Sequence, residues 1–174
     1  MRLDSKVIAI TGGSQGLGRA LAKACCREGA RVAIIGRDFH KLESVRKEIG
    51  ERVVCFPCDI GDSVEVSNTF KKIEAQMGGL DALVNNAGIY PIFKLETASD
   101  EQLRSVINTN LLGAMYACRE AIPLLKKSRG DIINVSSEAV RFYPPLLSVY
   151  TASKSALEAF SQSLRVELAP SGVR

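Results

Sequence analysis

The chain has 174 residues, of which 46% are hydrophobic and 24% charged, and its formal net charge is +4. These values are those of one globular domain with a single sizeable core. The basic residues are scattered, and only Lys126, Lys127 and Arg129 lie close together, at the end of a helical segment. Neither a basic stripe nor a known nucleic-acid module is present, so we expect no nucleic-acid partner.

The polar N-terminus leads directly into the apolar run at 7–10, with no room for a signal peptide, and no apolar run approaches the length of a membrane span. We therefore expect a cytoplasmic protein that does not bind a membrane. The sequence has five cysteines and one histidine, His40. Cys55 and Cys58 form a CxxC at the end of a strand, where a structural role is favoured over a redox or zinc site, and we predict no metal.

Short runs rich in Val and Ile alternate with segments of helical period. The predicted strands are 7–10, 32–35, 53–56, 80–85 and 131–136. The predicted helices are 17–28, 39–49, 63–77, 100–126 and 151–169. Nearly continuous apolar strands that alternate with helices predict an α/β fold, a doubly wound parallel sheet covered on both faces, whose ligands bind beyond the carboxyl ends of the strands.

A glycine-rich turn follows the first strand, from Thr11 to Gly18. Glycine here lets the backbone approach a pyrophosphate, and the helix that follows offers free N–H groups and its positive end. Read as TGxxxGxG, the turn resembles that of the short-chain dehydrogenase/reductase family. The resemblance implies a Rossmann-type fold and cofactor contacts along the turn, at Thr11, Gly12, Ser14, Gln15, Gly16, Leu17 and Gly18.

The end of the second strand bears on the choice of cofactor. An acid there would take the ribose hydroxyls of NAD, but Gly36 stands at the expected position and Arg37 follows it. A guanidinium pairs with a 2′-phosphate through a planar fork of donors, so NADP(H) is predicted to be preferred over NAD(H). Asp38 would take the acidic role if the strand ended one residue later.

The next two strand ends also match the family. Asp59 and Ile60 follow the third strand and resemble the position that contacts the adenine. The fourth strand ends in the sequence NNAG, in which Asn86, Ala87 and Gly88 are implied to line the cofactor pocket. Alone, Asp59 would read as a turn acid or a helix cap, and NNAG as an ordinary turn.

Tyr150 and Lys154, in the sequence YTASK, lie one helical turn apart and face the same way. Lys154 continues an apolar stripe that includes Leu157 and Leu164, a costly place for an ammonium unless it has partners, which favours a functional lysine over a surface one. A nearby ammonium stabilises the phenolate and makes Tyr150 usable as a general acid or base. The resemblance implies that both residues also contact the cofactor.

Two further residues complete the family's catalytic tetrad. Ser137 stands thirteen residues before Tyr150, the family's spacing, although Ser136 competes for the same role. Asn110 falls on a helical stripe with Leu103 and Val106 and should be buried, either as a structural amide or, as the resemblance implies, as the residue that holds a water connected to the lysine. The implied reaction is hydride transfer between the nicotinamide and a carbonyl or carbinol carbon, with Tyr150 moving the proton and Ser137 orienting the oxygen.

Family members commonly continue beyond the point that corresponds to Arg174. We therefore expect 1–174 to be a single NADP(H)-binding domain with five of the usual seven strands, without the C-terminal strands and substrate loop, and with the fifth strand at a sheet edge. An alternative is a catalytically impaired short form that acts as a nucleotide-binding or interaction module.

The resemblance also bears on partners. The helices at 100–126 and 151–169 form the family's usual oligomer interface, and they imply a homodimer or homotetramer. Apolar residues at 90–93 and 140–147 suggest a small hydrophobic carbonyl or alcohol substrate.

Overall fold

A computed structural model describes residues 2–174 and contains a five-stranded parallel sheet with the strand order β3-β2-β1-β4-β5. The strands are β1 (Val7–Thr11), β2 (Arg31–Gly36), β3 (Val53–Pro57), β4 (Ala82–Asn85) and β5 (Asp131–Asn134). The order reverses between β1 and β4, so a crevice opens there at the carboxyl ends of the strands. The predicted doubly wound fold is confirmed.

Helices cover both faces of the sheet. They are α1 (Gly16–Arg27), α2 (Phe39–Ile49), α3 (Ser63–Met77), α4 (Asp100–Ile107), α5 (Gly113–Ser128), α6 (Ala139–Phe142) and α7 (Ser148–Leu168). Within the described residues, no helix combines the length and the apolarity needed to cross a membrane.

The core has two halves because successive strand residues point to opposite faces. Ile8 and Ile10 of β1 pack with α1 and α2, whereas Ala9, between them, belongs to the cluster formed with α3, α5 and α7. All five residues of β1 are buried, as a central parallel strand requires.

Several predicted element bounds differ from the structure, most by one residue, and α7 begins at Ser148, three residues before the predicted start at 151. The predicted helix 100–126 is not a uniform α-helix, because a π-helical turn, Asn108–Leu112, joins α4 to α5. The fifth strand ends at Asn134 rather than 136, so the serines that follow it lie in a loop. The fourth strand begins at Ala82, two residues later than predicted.

The sheet edge at β5 is confirmed, and Arg174 lies beside it. Ile132 donates its backbone N–H to the Arg174 carbonyl at 2.8 Å, and Arg174 donates its own to the Gly130 carbonyl at 3.1 Å. The Arg174 guanidinium also makes a two-pronged ion pair with Asp131, at 2.9 and 3.0 Å.

Candidate active site

The glycine-rich turn between β1 and α1 is closely packed. Gly12 and Gly16 have φ values of +66° and +51°, a region that favours glycine. A Cβ on Gly18 would overlap the carbonyl oxygen of Gly12 and lie 2.6 Å from the Asn86 amide nitrogen, whereas a Cβ on Gly16 would meet nothing within 4 Å. Gly18 therefore permits the packing of the turn, and Gly16 leaves open space at the mouth of a cavity.

The N-terminus of α1 is uncapped. Its N-cap residue, Gln15, makes no side-chain bond to the helix, and no acidic residue lies in the first turn. By contrast, Asp38 and Asp62 cap α2 and α3 with their carboxylates. The first N–H groups of α1 and the positive end of its dipole are thus left for an anion, as a pyrophosphate requires.

A cavity of about 470 Å³ opens at this point, where the carboxyl ends of β1, β2 and β4 meet. Most of the predicted cofactor residues line it, namely Gly12, Ser14, Gln15, Gly16, Leu17, Arg37, Asp59, Ile60, Asn86, Ala87 and Gly88. The lining residues that the motifs did not identify are Ile35, Gly36, Cys58, Ile89, Tyr90 and Thr109. Most of these are chain neighbours of the motifs, so extending each motif by one or two residues would have found them.

Thr11 and Gly18, also predicted to contact the cofactor, do not line this cavity. Thr11 is 1% exposed, and its hydroxyl oxygen accepts hydrogen bonds from the backbone N–H groups of Asn86 and Ala87, both at 3.0 Å. The Asn86 amide donates in return to the carbonyl of Thr11 at 3.0 Å. These bonds tie the end of β1 to the segment after β4, so Thr11 shapes the wall of the cavity from behind.

The end of β2 presents Arg37 to the cavity. The strand ends at Gly36, and the adjacent Asp38 accepts a hydrogen bond from the backbone N–H of Lys41 at 3.1 Å as the N-cap of α2. Among the described residues, the Arg37 side chain has neither an ion pair nor a hydrogen bond. Asp38 is therefore occupied with its helix, while the Arg37 guanidinium remains free to bind a ligand.

Asp59 combines both roles considered for it. Its Oδ1 accepts from the backbone N–H of Gly61 at 2.9 Å, which makes it a turn residue, and it lines the cavity as well. It does not cap α3, since that position belongs to Asp62.

Asn110 lies in the π-helical turn and is 1% exposed, so its predicted burial is confirmed. Its Oδ1 accepts from the backbone N–H of Ile89 at 2.8 Å, and its Nδ2 donates to the Ile89 carbonyl at 2.8 Å and to the Ser153 hydroxyl at 3.2 Å. The amide thus connects the helix to the segment after β4 and to α7.

Lys154 is buried on α7, 4% exposed, with Leu157 and Leu164 continuing the stripe as predicted. Its Nζ donates to the Val135 carbonyl at 2.7 Å, and burial lowers the pKa of its ammonium. A Cβ placed on Gly88 would lie 3.6 Å from Lys154 Nζ and 3.4 Å from Asn110 Oδ1. The structure therefore brings Asn110, Lys154 and the NNAG segment together at one point.

Tyr150 lies one turn before Lys154, in the first turn of α7, and is half-buried. Its ring meets that of Tyr90 edge-on, with ring centroids 6.2 Å apart, and Tyr90 lines the cavity. Neither Tyr150 nor Lys154 lines the cavity itself, so the two flank it through Tyr90 and Gly88.

The two competing serines differ in their partners. The Ser136 hydroxyl donates to Glu158 at 2.7 Å, on the solvent-exposed side of α7. Ser137 instead accepts from the backbone N–H of Ala139 at 3.2 Å, which leaves its hydroxyl proton available to a ligand. Within residues 2–174, no group of three histidine, cysteine, aspartate or glutamate side chains is arranged to hold a metal ion.

Residues 6–174 match the family model described as short chain dehydrogenase. The chain belongs to the short-chain dehydrogenase family. It is 38% identical over 170 residues to the 3-oxoacyl-[acyl-carrier-protein] reductase of Bos taurus, with 97% of this chain and 72% of that protein covered. It is 34% identical over 171 residues to carbonyl reductase family member 4 of Xenopus tropicalis, with 98% and 72% covered.

The fold of this short-chain dehydrogenase has a solved counterpart. The crystal structure of 3-ketoacyl-(acyl-carrier-protein) reductase from Brucella melitensis complexed with NADH superposes with a TM-score of 0.95 at 31% identity, over 99% of this chain and 73% of that one. The relatives are oxidoreductases that act on CH–OH or C=O groups with NAD(P).

Proposed function

We propose that this short-chain dehydrogenase interconverts a carbonyl compound and an alcohol with NADP(H), and that Tyr150 is its general acid and base. The observation that carries the proposal is the burial of the Lys154 ammonium one helical turn behind Tyr150, beside the NNAG segment. Burying a cation is costly, and within residues 2–174 the Lys154 ammonium makes a single hydrogen bond, to the Val135 carbonyl. Its remaining N–H groups are available to a ligand and to the tyrosine oxygen.

The residues around the cavity fit a dinucleotide. The uncapped N-terminus of α1 and the open face of Gly16 suit its pyrophosphate, and Asp59 and Ile60 stand where the resemblance implies the adenine. Gly88 and Lys154 are proposed to hold the nicotinamide ribose. When bound, the cofactor supplies or accepts the hydride.

Each residue of the tetrad has a distinct role in the proposed reaction. In the reducing direction, Ser137 donates a hydrogen bond to the carbonyl oxygen, and Tyr150 gives its proton to that oxygen. Lys154 stabilises the phenolate that remains, because an opposite charge nearby favours the ionised form. Asn110 fixes the segment after β4 through Ile89 and, by resemblance, holds a water that connects to Lys154.

The preference for NADP(H) over NAD(H) is proposed from the end of β2. Arg37 faces the cavity without an ion-pair partner, whereas Asp38, the acid that would favour NAD, caps α2. A free guanidinium suits a 2′-phosphate and gives no advantage to a ribose hydroxyl. The Brucella melitensis relative was crystallised with NADH, so the preference is proposed for this chain on its own residues.

A hydrophobic substrate is proposed from the exposed apolar side chains on two segments near Tyr150. Tyr90 and Ile92 are 68% and 66% exposed, and Tyr143 is 70% exposed. The backbone N–H of Phe93 donates to the Leu146 carbonyl at 3.3 Å, so the two segments meet. Apolar side chains gathered around a few polar groups are typical of sites for small apolar ligands.

We also propose that 1–174 acts as one nucleotide-binding domain and assembles as a homodimer or homotetramer through α4–α5 and α7. Val166 on α7, 68% exposed, supports an apolar contact there. The five cysteines are free thiols, which supports a reducing, cytoplasmic location.

Tyr150→Phe tests the catalytic proposal. The variant should bind NADPH as the unmodified chain does, measured by quenching or enhancement of NADPH fluorescence, and should lose turnover of ketones by a factor of about 10² to 10⁴, because the proton donor is gone. Retained turnover would contradict the role of Tyr150. NADPH binding by the unmodified chain, without turnover of any ketone or quinone, would favour the alternative of a nucleotide-binding module.

A further inference from the structure

A groove adjoins the cofactor cavity on the side of α4. It has a volume of about 530 Å³ and lies between the turn that follows β3 and the helix α4. Three residues, Arg37, Asp59 and Thr109, line both the groove and the cavity. A ligand that fills the cavity as far as Arg37 therefore also reaches the groove.

One stripe of α4 and the π-helical turn faces this groove. Glu101, Arg104, Ser105 and Asn108 recur at helical spacing and all line it. Arg104 is exposed and lines the groove together with Arg37. The motifs at the strand ends do not include Arg104, because it belongs to a helix between two of them.

Two of the three acidic residues of the groove, Asp59 and Asp62, accept hydrogen bonds from the backbone. Asp59 accepts from the backbone N–H of Gly61, and Asp62 accepts from those of Val64 and Glu65 at 2.8 and 3.0 Å. Glu101 lies in the first turn of α4, where the helix dipole stabilises a negative charge.

The arginines of the groove have no such partners. Within residues 2–174, neither the Arg37 nor the Arg104 side chain takes part in an ion pair or a hydrogen bond. Two free guanidinium groups therefore line one groove, at the end of the cavity that the ribose phosphate would occupy.

We propose that Arg104 is a second binding residue for the 2′-phosphate of NADP(H), acting with Arg37. The inference rests on the proposed function, since it assumes that the dinucleotide occupies the cavity. A phosphomonoester presents three terminal oxygens, enough for two guanidinium groups to bind at once, and each such charge-assisted bond is stronger than a neutral one. Arg104 would thus set cofactor specificity from a helix outside the βαβ unit that carries the glycine turn.

The test compares binding, not turnover. Dissociation constants for NADPH and NADH, and for the probes 2′-AMP and 5′-AMP, are measured by calorimetry on Arg104→Ala, Arg104→Lys and Arg37→Ala. Arg27→Ala serves as a matched control, because Arg27 is an exposed arginine in the last turn of α1, outside both cavities. Arg104→Ala should weaken NADPH and 2′-AMP about three- to tenfold and leave NADH and 5′-AMP within about twofold, and Arg104→Lys should recover part of the loss.

Three results would overturn the inference, and they differ in what else they affect. Equal losses for NADPH and NADH in Arg104→Ala would show that Arg104 contacts the adenine instead. If Arg37→Ala abolishes the preference for NADPH and Arg104→Ala does not change it, the proposed role of Arg104 is wrong. The proposed preference for NADP(H) would still stand in that case. Equal affinity of the unmodified chain for NADPH and NADH would overturn the cofactor preference and, with it, the role of both arginines.

Discussion

Asn110 holds the backbone of Ile89 by both of its polar groups, accepting from its N–H and donating to its carbonyl, each at 2.8 Å. Ile89 directly follows the NNAG segment and lines the cofactor cavity. Ile89 lies beyond the end of β4, where no strand pairs with it, and the Asn110 amide satisfies both of its backbone polar groups instead. The position of the cavity wall therefore depends on one buried amide.

Asn110→Ala should lower the free energy of unfolding by about 2 to 3 kcal/mol, because it leaves the N–H and the carbonyl of Ile89 without partners in a part-buried place. Urea denaturation followed by circular dichroism measures the change. Asn108→Ala is the matched control, since Asn108 lies in the same π-helical turn but is exposed, and it should change stability by less than about 0.5 kcal/mol. Equal effects of the two substitutions would mean that the two hydrogen bonds from Asn110 to the backbone of Ile89, called here the clamp on Ile89, contribute nothing to stability.

Part of this arrangement could be predicted from the sequence and part could not. The burial of Asn110 follows from its place on a stripe with Val106, because helical periodicity is local. The π-helical turn and the clamp on Ile89 do not follow, since they depend on how two segments twenty-one residues apart meet in space. The strands were predictable because β1 and β2 are nearly continuous apolar runs, whereas α6 is too short to leave a periodic signal.

Ser137→Ala should lower kcat/KM by a factor of about 10² to 10³, the usual effect of removing one donor to a reacting oxygen. Ser136→Ala should change it less than about twofold, because the Ser136 hydroxyl is taken by Glu158. Steady-state kinetics on one ketone with both variants measures the difference. Spacing alone separates the two serines in the sequence, so a larger loss in Ser136→Ala would reverse the assignment.

Two glycines of the turn should differ in how much stability they lose on substitution by alanine. Gly18→Ala places a methyl group against the Gly12 carbonyl and the Asn86 amide, and should lower the free energy of unfolding by about 3 kcal/mol, since backbone cannot move aside easily. Gly16→Ala meets open space and should cost only about 1 kcal/mol for its left-handed backbone. Gly16 lines the cavity, however, so the added methyl group should also weaken NADPH binding. Thermal unfolding and NADPH titration of both variants make the comparison, and similar stability losses would contradict it.

The buried ammonium of Lys154 should make stability depend on pH in the alkaline range. Burial lowers the pKa of this group in the folded chain below its ordinary value of 10.5. Between the lowered value and 10.5, the unfolded chain therefore binds more protons than the folded chain, and the free energy of unfolding rises with pH. Below the lowered pKa the cost of burying the charge is present in full.

Lys154→Met isolates this effect. The comparison is made in a Tyr150→Phe background, because the ammonium is proposed to stabilise the phenolate of that tyrosine, and every remaining ionisable group is common to both proteins. The free energy of unfolding of Tyr150→Phe minus that of Tyr150→Phe with Lys154→Met should therefore rise as the pH is raised from 7 toward 10.5, measured by urea denaturation at a series of pH values. A difference that stays flat would mean that the ammonium is as well solvated as in the unfolded chain, and one that falls would mean that the fold stabilises its charged form. Only a difference in the free energy of unfolding that rises with pH agrees with a lysine whose burial destabilises the fold. Such a lysine is expected to be kept for its function.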